Sequence, residues 1–195
     1  LREQLLQQGI ASDCIKVEEI SKCNIKNYNS IVIYRSSKSK EIEKLVKKAH
    51  QVGMKVYYDI DDYIFEYSEI SSLNFLQGTD YVDFDKYSAD IKKSMELCDG
   101  YVVSTNNLES AIKRSFPNKP VVINRNVASM EMVTISLSNH EIHERGTIRL
   151  GYFSGSKTHN EDFEGIKEIL LDLMKQNENV VLYIGGQIEL SPEFN

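Results

Sequence analysis

The stretch IVIYRSSKSKEIEKLVKKAHQVGMKVYY, residues 31–58, decides the fold class of this 195-residue chain. It opens with an apolar run at residues 31–34 and returns to one at residues 55–58. Between them, residues 41–51 place their apolar side chains at helical spacing, and Gly53 follows as a stop signal. A strand, a helix and a second strand in this order predict a parallel βαβ unit.

The same alternation continues toward the C-terminus. We predict a helix over residues 87–97, a strand over 100–103, a helix over 106–115 and a strand over 120–124. Right-handed crossovers between such strands give a mainly parallel sheet. Because the strand segments are apolar throughout and do not alternate with polar residues, we expect the sheet to be buried on both faces.

A change of composition after residue 126 indicates a break between domains. Residues 127–146 are polar and irregular in pattern, which predicts a linker. The strand and helix pattern then restarts with a strand at 148–153, a helix at 161–175 and a strand at 180–184.

The sequence therefore predicts an α/β protein with two Rossmann-like parallel-sheet domains. Residues 1–126 form the first domain, and residues 147–195 form the start of a second domain that we expect to be incomplete. Residues 1–9 resemble the end of an amphipathic helix that stops at Gly9. We therefore expect a further strand and loop upstream of this helix.

Composition limits the class of partner. The net charge is -6, from 23 basic and 29 acidic residues, and the basic residues form no stripe that would follow a nucleic acid backbone. We therefore expect no nucleic acid partner. The chain has no run near the roughly 20 apolar residues of a membrane span and no signal-peptide pattern. We expect a cytoplasmic protein, with attachment to the inner face of the membrane left open.

Neither the cysteines nor the histidines have the spacing of metal ligands. Cys14, Cys23 and Cys98 are odd in number and form no CxxC or Cys/His pattern, so we predict free, buried and inert thiols. The histidines at positions 50, 140 and 143 have no partner identifiable from spacing, and we predict that they face solvent. No metal site is predicted.

An acidic cluster follows the strand predicted at residues 55–58. Asp59, Asp61 and Asp62 would lie at the carboxyl edge of the sheet, where open α/β sheets bind their ligands. Such carboxylates can hold a divalent ion or act as a base toward a hydroxyl. The alternative is that one aspartate caps the next turn and another pairs with a lysine. The three are the candidate catalytic residues.

Two further groups belong to the same predicted edge. Ser104, Thr105 and Asn106 follow the strand at 100–103 and either cap the next helix or face a cleft. Arg125 follows the last strand of the first domain and could bind a phosphate there, or lie on the surface.

In the second domain, a small hydroxyl-rich loop leads from the first strand into a helix. A helix N-terminus offers free backbone N–H groups and the positive end of the helix dipole, which suits a diphosphate. The loop has neither the dinucleotide-binding glycine pattern nor the Walker pattern, so an ordinary capping loop is the alternative. The candidate diphosphate ligands are Gly155, Ser156, Thr158, His159 and Asn160.

Three stretches, in this order, resemble bacterial glycosyltransferases of the GT-B fold. They are YYDIDDYIF at 57–65, VSTN at 103–106 and GYFSGSKTHNEDF at 151–163, and the third is the most specific. The resemblance is to the family of retaining enzymes that act on cell-surface polysaccharides. It implies that the first domain holds a glycan or lipid-linked acceptor and that the second holds a nucleotide sugar, without a metal or other cofactor.

The chain departs from that family at one point. The resemblance implies a Glu-x7-Glu segment further along the second domain, and the sequence up to residue 195 contains none after Gly186. Whether this chain is active by itself, and whether transfer retains the sugar configuration, therefore stay open.

Two other functions use the same residues differently. The order strand, Asp59, Asp61, then a strand ending at Ser104 or Thr105, resembles a haloacid-dehalogenase-type phosphatase with Asp59 as nucleophile and Asp61 as acid and base. The third possibility is a binding or scaffold module without catalysis.

Overall fold

The structure is a computed structural model that describes residues 1–70, 84–139, 146–155 and 159–194. The chain divides into two compact units, Leu1–Ser129 and Met130–Asn195. Each contains a parallel sheet with helices connecting its strands, so the predicted α/β class and the parallel sheets are confirmed. No helix among the described residues is long and apolar enough to cross a membrane.

The first unit is built on a four-stranded parallel sheet in the order β1-β2-β3-β4. Short 3-10 helices at Val17–Lys22 and Ile25–Asn27 precede the first strand. The main elements, in chain order, are α1 (Arg2–Gln7), β1 (Ser30–Tyr34), α2 (Lys40–Gln51), β2 (Lys55–Ile60), α3 (Tyr67–Ile70), α4 (Phe84–Glu96), β3 (Gly100–Val103), α5 (Asn106–Ser115) and β4 (Val121–Ile123).

Capping residues determine where α2 and α5 begin. The Ser39 hydroxyl accepts a hydrogen bond from the Ile42 N–H at 3.2 Å, and the Thr105 hydroxyl accepts one from Leu108 N–H at 3.1 Å. Of the three cap candidates for α5, Thr105 is therefore the cap. After α2, Gly53 adopts a φ of 75°, a left-handed conformation that glycine takes without strain.

The crossover helices α2, α4 and α5 cover one face of the four-stranded sheet. Because the strands follow one another in spatial order, each right-handed crossover steps in the same direction and places its helix on the same side. On the opposite face, Val32, Tyr34 and Val122 are 39%, 56% and 58% exposed. The prediction that both faces are buried is therefore wrong. The buried face carries Ile33, Val56, Tyr58, Ile60, Tyr101 and Val103.

Strand β2 is two residues longer than the sequence predicts. The expected end was residue 58, yet Asp59 and Ile60 continue the pairing with β3 opposite Val102 and Val103. Ile60 is fully buried, and its burial extends the strand past the polar Asp59. Asp59 is therefore a strand residue on the less buried face, and only Asp61 and Asp62 follow the strand.

A polar cluster stabilises the amino ends of β2 and β3. The Asp99 carboxylate accepts hydrogen bonds from Val56 N–H at 2.8 Å, from Lys55 Nζ at 3.2 Å and pairs with His50 Nε2 at 3.0 Å. His50 is exposed, as predicted, and its partner Asp99 lies 49 positions away in the sequence, where spacing could not identify it. His140 and His143 lie outside the described residues.

The described residues of the second unit form a two-stranded parallel sheet and two α-helices. Its elements are α6 (Met130–Ser138), β5 (Ile148–Ser154), α7 (Asn160–Gln176), β6 (Val180–Gly186) and a 3-10 helix at Pro192–Phe194. Phe163 and Leu171 bury one side of α7, and the Phe163 ring meets Tyr152 edge-on at 5.0 Å.

The region predicted as a linker contains α6. Its apolar side chains are interspersed with hydroxyl residues, and none of them is buried, so the stretch gives no helical stripe that a sequence pattern could detect. The boundary between the two units falls after Ser129, and α6 belongs to the second unit.

The three thiols are free but differ in environment. Cys14 is exposed, Cys23 is half-buried and only Cys98 is buried. Burial raises the pKa of the Cys98 thiol to about 12, which leaves it protonated and inert. The prediction of buried thiols therefore holds for Cys98 and is wrong for Cys14.

Candidate functional site

The carboxyl edge of the four-stranded sheet joins β1 to the acidic cluster. Arg35 follows β1, and its Nη1 lies 2.7 Å from Asp62 Oδ2 and 3.5 Å from Asp61 Oδ1. The Tyr34 hydroxyl approaches both Asp61 oxygens, at 3.3 and 3.4 Å. Both aspartates are thus anchored to the neighbouring strand, and one guanidinium offsets their mutual repulsion.

Arg35 is a site residue that the sequence analysis missed. It has a φ of 42°, and no other non-glycine residue among those described has a positive φ. The sequence-based alternative for the acidic cluster paired an aspartate with a lysine, whereas the actual partner is this arginine. Its position directly after the first apolar run was the available signal, because parallel strands β1 and β2 end at the same edge.

Asp59 lies apart from this ion-pair network. It sits within β2 between Tyr34 and Val102 on the neighbouring strands. Burial raises the pKa of the Asp59 carboxyl, and the nearby Asp61 carboxylate raises it further. The three candidate aspartates therefore occupy two environments: a half-buried strand position for Asp59, and an arginine-paired loop for Asp61 and Asp62.

The remaining candidates of this edge have mostly structural contacts. Ser104 Oγ lies 3.5 Å from the Asp61 carbonyl oxygen, which joins the loops after β2 and β3. Thr105 caps α5. Arg125 Nη2 donates to Asn106 Oδ1 at 2.9 Å, so these two residues bind each other.

A cleft of about 420 Å³ opens beside α5 at this edge. Asp61, Asp62 and Thr105 line it together with Arg114, a second cation that the sequence analysis did not select. Arg114 pairs with Glu69 at 3.5 Å and is largely exposed. The cleft therefore places two carboxylates, a hydroxyl and a guanidinium around one space, while Asp59, Ser104, Asn106 and Arg125 do not line it.

The described residues contain no group of three or more His, Cys, Asp or Glu side chains arranged to hold a metal ion. The expectation of a metal-free reaction stays a prediction.

In the second unit, the candidate diphosphate loop leaves β5 at Gly155 and enters α7 at His159. Ser156 and Thr158 lie outside the described residues. His159 is the N-cap residue of α7, yet its side chain makes no capping hydrogen bond and instead pairs through Nδ1 with Asp162 Oδ2 at 2.9 Å. No described side chain therefore caps the backbone N–H groups in the first turn of α7.

Asn160 connects the start of α7 to the segment after β6 through a hydrogen bond. Its Oδ1 accepts a hydrogen bond from Glu189 N–H at 3.2 Å. Gly186 ends β6 with a φ of 93°, and a Cβ there would lie 1.7 Å from the Ser154 carbonyl oxygen. The carboxyl ends of β5 and β6 are thus in close backbone contact, and Asn160 links the start of α7 to the segment that follows β6.

No protein-family model, curated protein or solved structure matches this chain. The resemblance to the GT-B transferases therefore supports a proposal and not an identification.

Proposed function

We propose that this chain is a glycosyltransferase, or part of one, which moves a sugar from a nucleotide-sugar donor to a glycan or lipid-linked acceptor in bacterial cell-surface polysaccharide synthesis. Two features support it: both units have parallel sheets with polar groups at their carboxyl edges, and the three transferase-like stretches lie at those edges. Open α/β sheets bind ligands at this edge.

The uncapped first turn of α7 is the observation that carries the donor site. Backbone N–H groups at a helix N-terminus stabilise a bound anion, and the helix dipole adds to the attraction. Departure of the sugar leaves negative charge on the donor diphosphate, and fixed N–H donors stabilise that charge. We assign Gly155, His159 and Asn160 to this site, with Ser156 and Thr158 between them.

The cleft of the first unit suits a polyhydroxylated acceptor. Asp61 and Asp62 present carboxylate oxygens that accept hydrogen bonds from sugar hydroxyls, and either can take the proton from an attacking hydroxyl. Arg35 and Tyr34 hold Asp61 in place, so the carboxylate needs no reorganisation when the acceptor binds.

Substitution of Gly155 tests the donor site. A Cβ at Gly155 would meet no atom of the described residues within 4 Å, so we expect Gly155→Val to fold and its side chain to enter the space proposed for the diphosphate. We expect isothermal titration calorimetry with nucleoside diphosphates to show that the native chain binds them. The variant should bind at least about 10-fold more weakly, a loss of ~1.4 kcal/mol.

Gly165→Ala is the matched control, because Gly165 lies within α7 and also has open space around its Cβ position. This control should bind like the native chain. If Gly155→Val binds nucleoside diphosphates as tightly as the native chain does, the diphosphate does not bind at this loop. Mg²⁺-dependent hydrolysis of p-nitrophenyl phosphate that is lost in Asp59→Asn would instead support the phosphatase. If the full-length protein shows neither sugar transfer nor hydrolysis of the donor, the scaffold function is supported.

A further inference from the structure

Among the residues that the structure describes, no strand pairs with the outer edge of β1. Strand β1 is the first strand in the sheet order, and β2 is its neighbour on one side. Arg35 N–H donates to the Asp59 carbonyl at 3.1 Å, so the backbone of Arg35 faces β2. In a parallel pair the backbone groups of successive residues alternate in direction. Those of Ser30, Val32 and Tyr34 therefore point away from the sheet.

Most of these outward groups have no partner among the described residues. The Tyr34 carbonyl accepts a hydrogen bond from Ser36 Oγ at 2.9 Å. For Ser30 and Val32, no hydrogen bond within the described part of the chain uses the outward N–H or carbonyl. An edge strand that is apolar and uncharged, such as the sequence SIVIY, is a template for pairing with another extended chain.

An apolar cavity of about 460 Å³ runs beside this edge. One wall is β1 from Ser30 to Tyr34, and the other contains residues 13–18, where Lys16 has extended backbone angles, φ -72° and ψ 152°. The Tyr28 hydroxyl donates to Asp13 Oδ2 at 2.7 Å and ties the outer wall to the unit. Apolar side chains dominate the lining, among them Ile15, Val17, Ile20, Ile31 and Leu45.

We propose that this cavity, the β1 slot, binds an extended apolar peptide segment as an added strand next to β1. The peptide backbone would exchange hydrogen bonds with Ser30, Val32 and the Tyr34 N–H, and alternate side chains would enter the apolar cavity. The free backbone groups decide the class of occupant. A lipid chain could fill the cavity but would leave these N–H and carbonyl groups unpaired, at a cost that a peptide avoids.

A synthetic peptide with the sequence acetyl-Lys-Val-Ile-Val-Ile-Val-Lys-amide tests the proposal on the 195-residue chain. We expect saturable binding by calorimetry. Amide hydrogen exchange followed by NMR should slow at least about 10-fold at Ser30, Val32 and Tyr34. Ile31 and Ile33 should change much less, because their N–H groups already bond to β2. Occupation of the cavity by side chains alone would not produce this alternation.

Val32→Pro is the decisive variant. Proline at position 32 removes the N–H that points away from the sheet and leaves the hydrogen bonds between β1 and β2 intact. An edge strand tolerates proline where the missing N–H would face outward. We expect the variant to lose peptide binding, while Val32→Thr, which keeps the N–H, should bind the peptide. If Val32→Pro fails to fold, a peptide with its central Val replaced by Pro provides the same test on the native chain and should not bind.

Three results would overturn the proposal. One is equal binding of the proline-containing peptide, and another is exchange protection without alternation between neighbouring residues. The third is self-association of the chain without peptide that Val32→Pro abolishes in sedimentation experiments, since the occupant would then be a second copy.

Discussion

At the scale of single residues, Arg35 combines an unfavourable backbone conformation with contacts to both loop aspartates. A positive φ costs an L-residue roughly 1–2 kcal/mol, because its Cβ crowds the following carbonyl oxygen. Arg35 occupies this conformation at the point where its guanidinium reaches Asp62 at 2.7 Å. The conformation and the ion pair together place a cation against the two aspartates that line the candidate acceptor cleft.

Two substitutions separate the backbone cost from the ion pair. Arg35→Ala loses the contacts to Asp61 and Asp62 and keeps the strained backbone, whereas Arg35→Gly loses the same contacts without that strain. We expect Arg35→Gly to be the more stable by about 1 kcal/mol in urea unfolding, after allowance for the greater freedom of glycine in the unfolded chain. Equal stability, or a more stable alanine variant, would show that position 35 is unstrained.

The Asp99 cluster makes stability depend on pH. Burial alone would raise the pKa of Asp99, but hydrogen bonds from Val56 N–H, Lys55 and His50 outweigh it and hold the pKa below its usual value. A carboxyl with a lowered pKa stabilises the fold above its unfolded pKa of about 3.9, and this contribution is lost as the pH falls through the lower folded value.

We expect Asp99→Asn to lower the free energy of unfolding at pH 7 by about 1–3 kcal/mol. The difference between native chain and variant should begin to shrink below about pH 4, where the Asp99 carboxyl of the unfolded chain takes up a proton, and should vanish only once the folded carboxyl is protonated as well. Urea unfolding between pH 2.5 and pH 7 measures both. Asp85→Asn, at an exposed residue in the first turn of α4, provides a control for the loss of one negative charge. A difference that is constant over this range would assign the effect to packing.

At the scale of elements, the carboxyl ends of β5 and β6 depend on one glycine. Gly186 has a positive φ of 93°, and any Cβ there would collide with the Ser154 carbonyl oxygen at 1.7 Å. The collision is with backbone, which cannot rotate away as a side chain can.

Gly186→Ala should therefore destabilise the second unit by at least about 2 kcal/mol. Gly165→Ala, within α7 and with open space around the new methyl group, should stabilise it by about 1 kcal/mol. Hydrogen exchange of the β5 and β6 amides measures both effects in the intact chain. Unchanged exchange in Gly186→Ala would mean that the strand ends can separate without cost.

At the scale of the whole molecule, the order of the strands explains the most exposed surfaces of the first unit. Four strands in spatial sequence place α2, α4 and α5 on one side, so the other face and the outer edge of β1 stay accessible. The carboxyl edge is a third surface, and the candidate acceptor cleft lies there. One sheet thus carries both proposed binding regions, the cleft after β2 and the β1 slot.

The local pattern by itself determined the elements. Apolar runs located the six described strands, and helical spacing located α2, α4, α5 and α7. These signals are local, because an apolar stripe and a helix cap such as Thr105 both involve residues that are close in sequence. The pattern also placed Asp61, Asp62 and Thr105 at one edge, since parallel strands end together.

Only the tertiary structure decided which distant groups meet. Arg35, after β1, pairs with Asp62, after the neighbouring strand β2, and His50 pairs with Asp99, 49 positions away. Helix α6 has no buried stripe that a sequence pattern could reveal. The open sheet face and the β1 slot follow from the order of the strands in the sheet. Sequence periodicity does not encode this order, because a buried strand has the same local pattern at the centre of a sheet and at its edge.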